Sequence, residues 1–192
     1  MRRSLKREQL LDIAIGLFNE RGYHASGIDL ILEEAGIAKT TLYRHFKTKE
    51  DLIVAVLKTV DERSREGMRS FVDTRAKKPE DKLLATFDYL ERCCKEKTFY
   101  GCPFMSAAAE FSDKRSVIFQ EAATHKRLMQ AYFEELARAA NLKNPKDLAE
   151  EINLLHEGAT AVAHISGNHK AAQLAKQVAR RLIDLSQTRL RN

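Results

Sequence analysis

The sequence is poor in residues that interrupt helices. Its 192 residues include three prolines and eight glycines, and it has no tryptophan. Turn-rich β-sandwiches and barrels need such residues at short intervals, so their scarcity argues against both folds. No apolar run approaches the roughly 20 residues of a membrane-spanning helix. Hydrophobic residues nevertheless make up 44% of the chain and charged residues 31%, which is enough apolar material for a packed core.

The chain also lacks the marks of a secreted protein. Its three cysteines are an odd number, and two of them, Cys93 and Cys94, are adjacent. This is a poor disulfide framework and is typical of a reducing compartment. The basic residues at the N-terminus are not followed by the apolar segment of a secretory signal. We therefore expect a cytoplasmic protein.

Amphipathic segments follow one another along the chain at helical spacing, and none alternates convincingly as a strand does. They predict about nine helices and an all-α fold. Gly22 and Gly36 are placed to end the first two helices. Ser26, with Asp29 three residues later, resembles a capping box at the start of the second helix.

Residues 26–49 have the pattern of a helix-turn-helix, in which the second helix lies in the major groove of DNA. In that second helix, Ala38, Leu42 and Phe46 share one side, and we expect them to pack inward. Its other side carries Thr40, Thr41, Tyr43, Arg44 and Lys47. Between Gly36 and Lys49 there are four cations and no acid, which suits the neutralisation of phosphates.

The overall charge is less informative than this cluster. Residues 1–49 hold nine basic and six acidic residues, a net charge of +3 that is half of the total of +6. A second basic cluster precedes the first helix and consists of Arg2, Arg3, Lys6 and Arg7. Because charged helix faces are usually only solvated, the pattern by itself also fits a helical protein that binds no DNA.

The run from Gly36 to Leu52, GIAKTTLYRHFKTKEDL, resembles the DNA-binding signature of the tetracycline-repressor (TetR) family. Residues that match the first two helices of that family are Ala14, Leu17, Phe18, Gly22, Tyr23, Ile31 and Ala35. The resemblance covers about the first quarter of the chain.

The resemblance implies a homodimeric transcriptional regulator, usually a repressor, that leaves a palindromic operator when a small-molecule effector binds. It places a three-helix DNA-binding domain at residues 1–49 and a helical effector-binding and dimerisation domain at residues 50–192. Double-stranded DNA, the effector and a second copy of the chain would be its partners.

The same resemblance assigns individual roles on the DNA-binding side. Lys39, Thr40 and Thr41 would face bases, and the helical spacing described above puts Arg44 on the same side as a further DNA-binding candidate. Phosphates would be held by Tyr43, His45 and Lys49, with Ser26 and the start of the second helix as a further contact. Thr40 stands where the family often has glycine, and Ala38 where it often has serine.

The second half offers weaker predictions. An apolar effector pocket with a few polar groups could be lined by Phe87, Phe104, Met105, Phe111, His125, Tyr132 and His156. The alternative is that these residues are simply core. The last two helices would form the dimer interface through Leu155, Ala159, Val162, Leu174, Val178 and Leu182. The alternative here is burial within one chain.

Other chemistries find less support in the sequence. Cys102, just before a predicted helix, is the best candidate for a redox-responsive thiol, which gives an alternative regulator class. The histidines do not pair with cysteines at ligand spacing, so no metal site is predicted. No phosphate loop, nucleophile elbow or dinucleotide fingerprint is found, so we expect neither an enzyme nor a bound cofactor.

Overall fold

The computed structural model describes residues 5–187, and within this range it contains nine α-helices and no strand. This confirms the predicted fold class. The helices are α1 (Leu5–Arg21), α2 (Ile28–Ala35), α3 (Lys39–His45), α4 (Lys49–Arg75), α5 (Pro79–Cys94), α6 (Pro103–Glu110), α7 (Val117–Ala139), α8 (Pro145–Ser166) and α9 (Ala171–Gln187). None of these helices is both long and apolar enough to cross a bilayer.

The chain divides into two compact units. The first consists of the residues up to Arg63 together with Cys102–His125. The second consists of Ser64–Gly101 together with the residues from Lys126 onward. The units describe packing, so the functional boundary that the sequence predicts between residues 49 and 50 stays a prediction.

The first unit is built around one apolar cluster. In α1, Leu10, Ala14 and Phe18 recur at helical spacing and are almost fully buried. They pack against the short helices α2 and α3 and the start of α4, while α6 and the start of α7 close the cluster. The other buried members include Ile31, Leu42, Phe46, Leu52, Ile53, Val56, Phe104, Ala107, Ile118 and Ala122.

The second unit has its own core, in which α5 packs against α8 and α9 and these two pack against each other. The buried face of α9 consists mainly of small residues, namely Ala171, Ala172, Ala175 and Ala179. Small side chains allow two helix backbones to approach closely. The larger core residues include Leu83, Phe87, Phe133, Leu136 and Ile152.

The start of α2 differs from its prediction. Gly27, not Ser26, is the N-cap residue, and no side chain caps the helix. Ser26 is fully buried, with its hydroxyl 2.8 Å from the carbonyl oxygen of Gly22 and 3.1 Å from that of Leu17. Because carbonyl oxygens only accept, the hydroxyl donates back toward the end of α1. The Ser26 side chain is therefore not exposed for the phosphate contact that the family resemblance implies.

We expect Ser26→Ala to lower the free energy of unfolding by about 1–2 kcal/mol, because buried carbonyl groups lose a donor. Urea unfolding followed by circular dichroism measures this. The control is Ser166→Ala, which removes an exposed hydroxyl that donates within α8, and its effect should stay within about 0.5 kcal/mol. Unchanged stability of Ser26→Ala with weakened DNA binding would restore the phosphate role.

Candidate DNA-binding surface

Helix α3 separates an apolar side from a polar one. Leu42 is fully buried and Phe46, the C-cap residue, is nearly so, as predicted. Ala38 instead lies exposed at the N-cap, because the helix begins only at Lys39. On the opposite side the predicted base- and phosphate-facing residues Lys39, Thr40, Tyr43 and Arg44 are exposed, and Thr41 is half-buried. This side is therefore open to a ligand.

The start of α4 is fixed by a reciprocal cap. The backbone N–H of Asp51 donates to Oγ1 of Thr48 at 3.0 Å, and the backbone N–H of Thr48 donates to the Asp51 carboxylate at 3.1 Å. This is the capping-box arrangement, with Asp in place of Glu. It holds Lys49 at the first position of the helix. Thr48 is therefore the N-cap residue of α4.

Two of the predicted phosphate contacts are constrained by their surroundings. Nζ of Lys49 donates to the backbone carbonyl of His24 at 3.2 Å, which ties the start of α4 to the turn after α1. Nε2 of His45 is buried without a hydrogen-bond partner. A phosphate contact through that atom would require the His45 ring to move. Arg2 and Arg3 of the basic N-terminal cluster lie outside the described residues.

The turn between α1 and α2 is held by Glu110, the last residue of α6. Its carboxylate accepts the backbone N–H of Tyr23 at 2.9 Å and that of His24 at 2.6 Å, and it lies 2.8 Å from Nδ1 of His24. Burial disfavours the charged carboxylate, but these donors outweigh it and hold the pKa of Glu110 below its ordinary value. Glu110 is thus an anion held by the turn.

Aromatic contacts reinforce this attachment. The rings of His24 and Phe111 stack with centroids 4.6 Å apart. At the other end of α6, the hydroxyl of Tyr23 donates to the backbone carbonyl of Pro103 at 3.1 Å. Both ends of α6 are therefore bound to the same turn. Sequence reasoning did not find Glu110, because nothing local links it to a turn almost 90 residues earlier.

Comparison with known proteins decides the family. Residues 10–56 match the domain described as "Bacterial regulatory proteins, tetR family", and residues 79–179 match "Tetracyclin repressor-like, C-terminal domain". The chain belongs to the TetR family. It is thus a DNA-binding transcriptional regulator with a helix-turn-helix, as the resemblance of the first quarter implied.

Individual relatives agree with the TetR assignment. Over 93 residues the chain is 40% identical to the transcriptional activator FasR of Mycolicibacterium smegmatis, a match that spans 46% of this chain and 42% of FasR. It is 22% identical to the regulator YjdC of Escherichia coli over 96% of this chain and 97% of YjdC. A TetR-family regulator of Streptomyces coelicolor shares 25% identity, covers 94% of this chain and 95% of its own, and superposes with a TM-score of 0.84.

The predicted effector-pocket residues of this TetR-family chain fall into both compact units. In the first unit, Phe104 stacks on His125 with ring centroids 3.6 Å apart, and His125 Nδ1 lies 2.7 Å from an Asp61 oxygen. Phe111 covers His24, and Met105 is exposed. Their joint role as a pocket stays a prediction.

The pocket candidates of the second unit are packed in its core. His156 lies between Phe87 and Phe133, with ring centroids 4.1 and 4.9 Å away. Its Nε2 is 2.9 Å from the hydroxyl of Thr86. Burial, helped by the charge of Lys126, lowers the pKa of His156 to about 3, so this histidine is neutral at physiological pH. Tyr132 is buried beside them.

Five of the six predicted dimer-interface residues line a single apolar groove on α8 and α9 of about 280 Å³. They are Leu155, Ala159, Val162, Leu174 and Val178. Leu182, the sixth, packs against the core of the second unit. The groove is also lined by the exposed Leu154, by Asn168 and by the small residues Gly158, Ala171 and Ala175.

The cysteines do not favour the redox alternative. None of the three forms a disulfide. Burial raises the pKa of Cys93 above its ordinary value and raises the pKa of Cys94 to about 11, so both remain thiols rather than reactive thiolates. Cys102 is the half-buried N-cap residue of α6. Within residues 5–187, no group of three potential metal ligands occurs either.

We expect Glu110→Gln to destabilise the protein by about 1–2 kcal/mol at pH 7, because charge-assisted hydrogen bonds to the turn are weakened. The pKa of Glu110 is lower in the folded state than in the unfolded chain. The stability that Glu110 contributes is therefore complete at pH values above its pKa in the unfolded chain, and it is lost as the pH falls through its pKa in the folded state. Urea unfolding of both proteins at pH 7 and pH 3.5 measures this, with the exposed Glu34→Gln as control. A difference in unfolding free energy between the two proteins that is equal at both pH values would contradict this prediction.

Proposed function

We propose that this TetR-family regulator is a homodimeric repressor that binds a palindromic operator and is released by a small-molecule effector. The observation that carries the DNA-binding side is α3, which offers cations and hydroxyls on one side and is fixed on the other by Leu42 and Phe46. A helix held in this way can enter the major groove with its N-terminal residues at base edges.

The dimer is supported by the apolar face of α8 and α9. Leu154, Val162 and Leu174 are exposed there by 73%, 48% and 63%, although large apolar side chains usually avoid water in such clusters. Small residues between them, such as Gly158 and Ala171, let a second helix pair approach closely. Two copies would together form a four-helix bundle with two-fold symmetry, which matches a palindromic operator.

Release by an effector has a physical route in the first unit. Helix α6 is attached through Glu110 to Tyr23 and His24, and the carbonyl of His24 accepts the bond from Lys49. A displacement of α6 would therefore move the turn and, with it, a predicted phosphate contact. The effector itself would be recognised by the aromatic and histidine residues predicted for the pocket.

We expect Tyr43→Ala and Lys49→Ala to weaken binding to all DNA sequences, and Lys49→Ala to reduce the slope of log affinity against log salt by about 0.9 per subunit. Lys39→Ala should also relax base preference, at a cost of about 1–3 kcal/mol for the preferred base. The exposed Lys114→Ala is the charge-matched control. DNA selected from a random pool gives the operator, and fluorescence anisotropy gives the affinities. An operator without an inverted repeat would contradict the proposal.

Transcription from a promoter that contains the selected operator tests the direction of regulation. A repressor should lower the transcript level in a reconstituted reaction. A rise would identify an activator, as FasR is named.

Leu174→Glu is expected to convert the dimer to a monomer at micromolar concentration and to weaken operator binding, because a charge would be buried in the apolar interface. Light scattering after size exclusion measures the mass. Val117→Glu is the matched control, since Val117 is also 63% exposed but lies on α7. If Leu174→Glu remains dimeric, the interface lies elsewhere; a wild-type monomer would overturn the dimer itself.

A further inference from the structure

One carboxylate stands beside the recognition helix α3. The segment from Gly36 to Lys49 contains no acid, yet Asp29 reaches it from the first turn of α2. Oδ1 of Asp29 lies 3.0 Å from Nζ of Lys39, the first residue of α3. The exposed fractions of the two side chains are 86% and 58%. A negative charge is therefore placed on the surface that would face a polyanion.

Stability does not account for this ion pair. Pairs between exposed side chains contribute little to folding because water and salt screen them. A carboxylate at a DNA-facing surface also works against binding, because it offsets a cation that would otherwise neutralise a phosphate. We therefore expect the pair to lower the affinity for DNA of any sequence. Neither stability nor affinity explains why the acid lies there.

We consider first how the Lys39 side chain would behave without Asp29. An ammonium group on a flexible four-carbon chain is a point charge without fixed direction, and it is attracted to the phosphates of DNA whatever the base sequence. The carboxylate of Asp29 restrains it and, through the hydrogen bond and its charge, raises the pKa of Lys39. A restrained ammonium donor can pair with the acceptors of a guanine edge, whereas the neighbouring carboxylate repels phosphate.

We propose that Asp29 is a positioning residue that directs Lys39 toward base edges and away from phosphates, so that general DNA affinity is exchanged for selectivity. The inference rests on the proposed base contact of Lys39. An alternative is that Asp29 only stabilises the N-terminus of α2, where an acid suits the helix dipole and Gly27 provides no side-chain cap. That role would change stability and not selectivity.

The test compares Asp29→Asn with wild type on the selected operator, on a variant with the Lys39-facing base pair exchanged, and on unrelated duplex DNA. Asp29→Asn should bind unrelated DNA more tightly, with a salt slope steeper by about 0.9 per recognition helix. Its preference for the operator over the exchanged variant should fall at least about threefold, which is a part of what a full base contact contributes. Asp29→Glu, which keeps the charge, should restore most of that preference.

Asp12→Asn is the matched control, because Asp12 forms another exposed ion pair of the first unit, 2.7 Å from Arg63. It makes the same change of charge on a different helix, α1, in a pair that does not involve Lys39, and should leave the preference unchanged. In a Lys39→Ala background, Asp29→Asn should no longer alter the preference, because a positioning residue acts through its partner.

The results distinguish failure of the proposed Lys39 base contact from failure of the positioning role of Asp29. If Lys39→Ala retains full base preference, the proposed base contact is wrong and the positioning role falls with it. If Lys39→Ala relaxes the preference but Asp29→Asn changes only the melting temperature, Asp29 is a helix-dipole residue. If Asp29→Asn weakens operator binding without strengthening binding to unrelated DNA, Asp29 reads a base itself. Either of these last two results overturns the positioning role while the DNA-binding site stands.

Discussion

The carboxylate of Glu110 is the constraint on which the DNA-binding end of the first unit depends. It accepts two consecutive backbone N–H groups in the turn that joins α1 to α2. Gly22 makes this possible, since its φ of +87° favours glycine and a Cβ there would lie 3.0 Å from the carboxylate. Two consecutive backbone donors and one carboxylate thus satisfy each other, and these charge-assisted hydrogen bonds hold the turn in the observed conformation.

Several other features take their position from that turn. Ser26 directs its hydroxyl back to Gly22 and Leu17, so the chain enters α2 without a side-chain cap. The carbonyl of His24 receives Lys49 from the start of α4. The helix-turn-helix is therefore fastened at both ends to the same short segment, and α6 is fastened there as well. DNA contact and the candidate route of effector release meet at these residues.

The sequence predicts the features of this structure that are set locally. Helical periodicity predicts the inward side of α3, where Leu42 and Phe46 are buried, and Thr48 is recognisable as a cap because its partner is three residues away. Long-range pairings leave no such pattern. Glu110 contacts a turn far away in the chain. Ser26 is a different case, because its sequence pattern is that of a helix cap while its hydroxyl donates back to the carbonyls of Gly22 and Leu17.

The distribution of charge is likewise set partly by local sequence and partly by tertiary contact. The net charge of +6 says little, and the acid-free segment around α3 says more, but neither predicts that Asp29 approaches Lys39. A regulator must find one operator among many competing sites, so selectivity matters more than affinity alone. A carboxylate that lowers attraction to every phosphate, while restraining one lysine, acts in that direction. An acid on a DNA-binding surface is then part of how the surface discriminates between sequences.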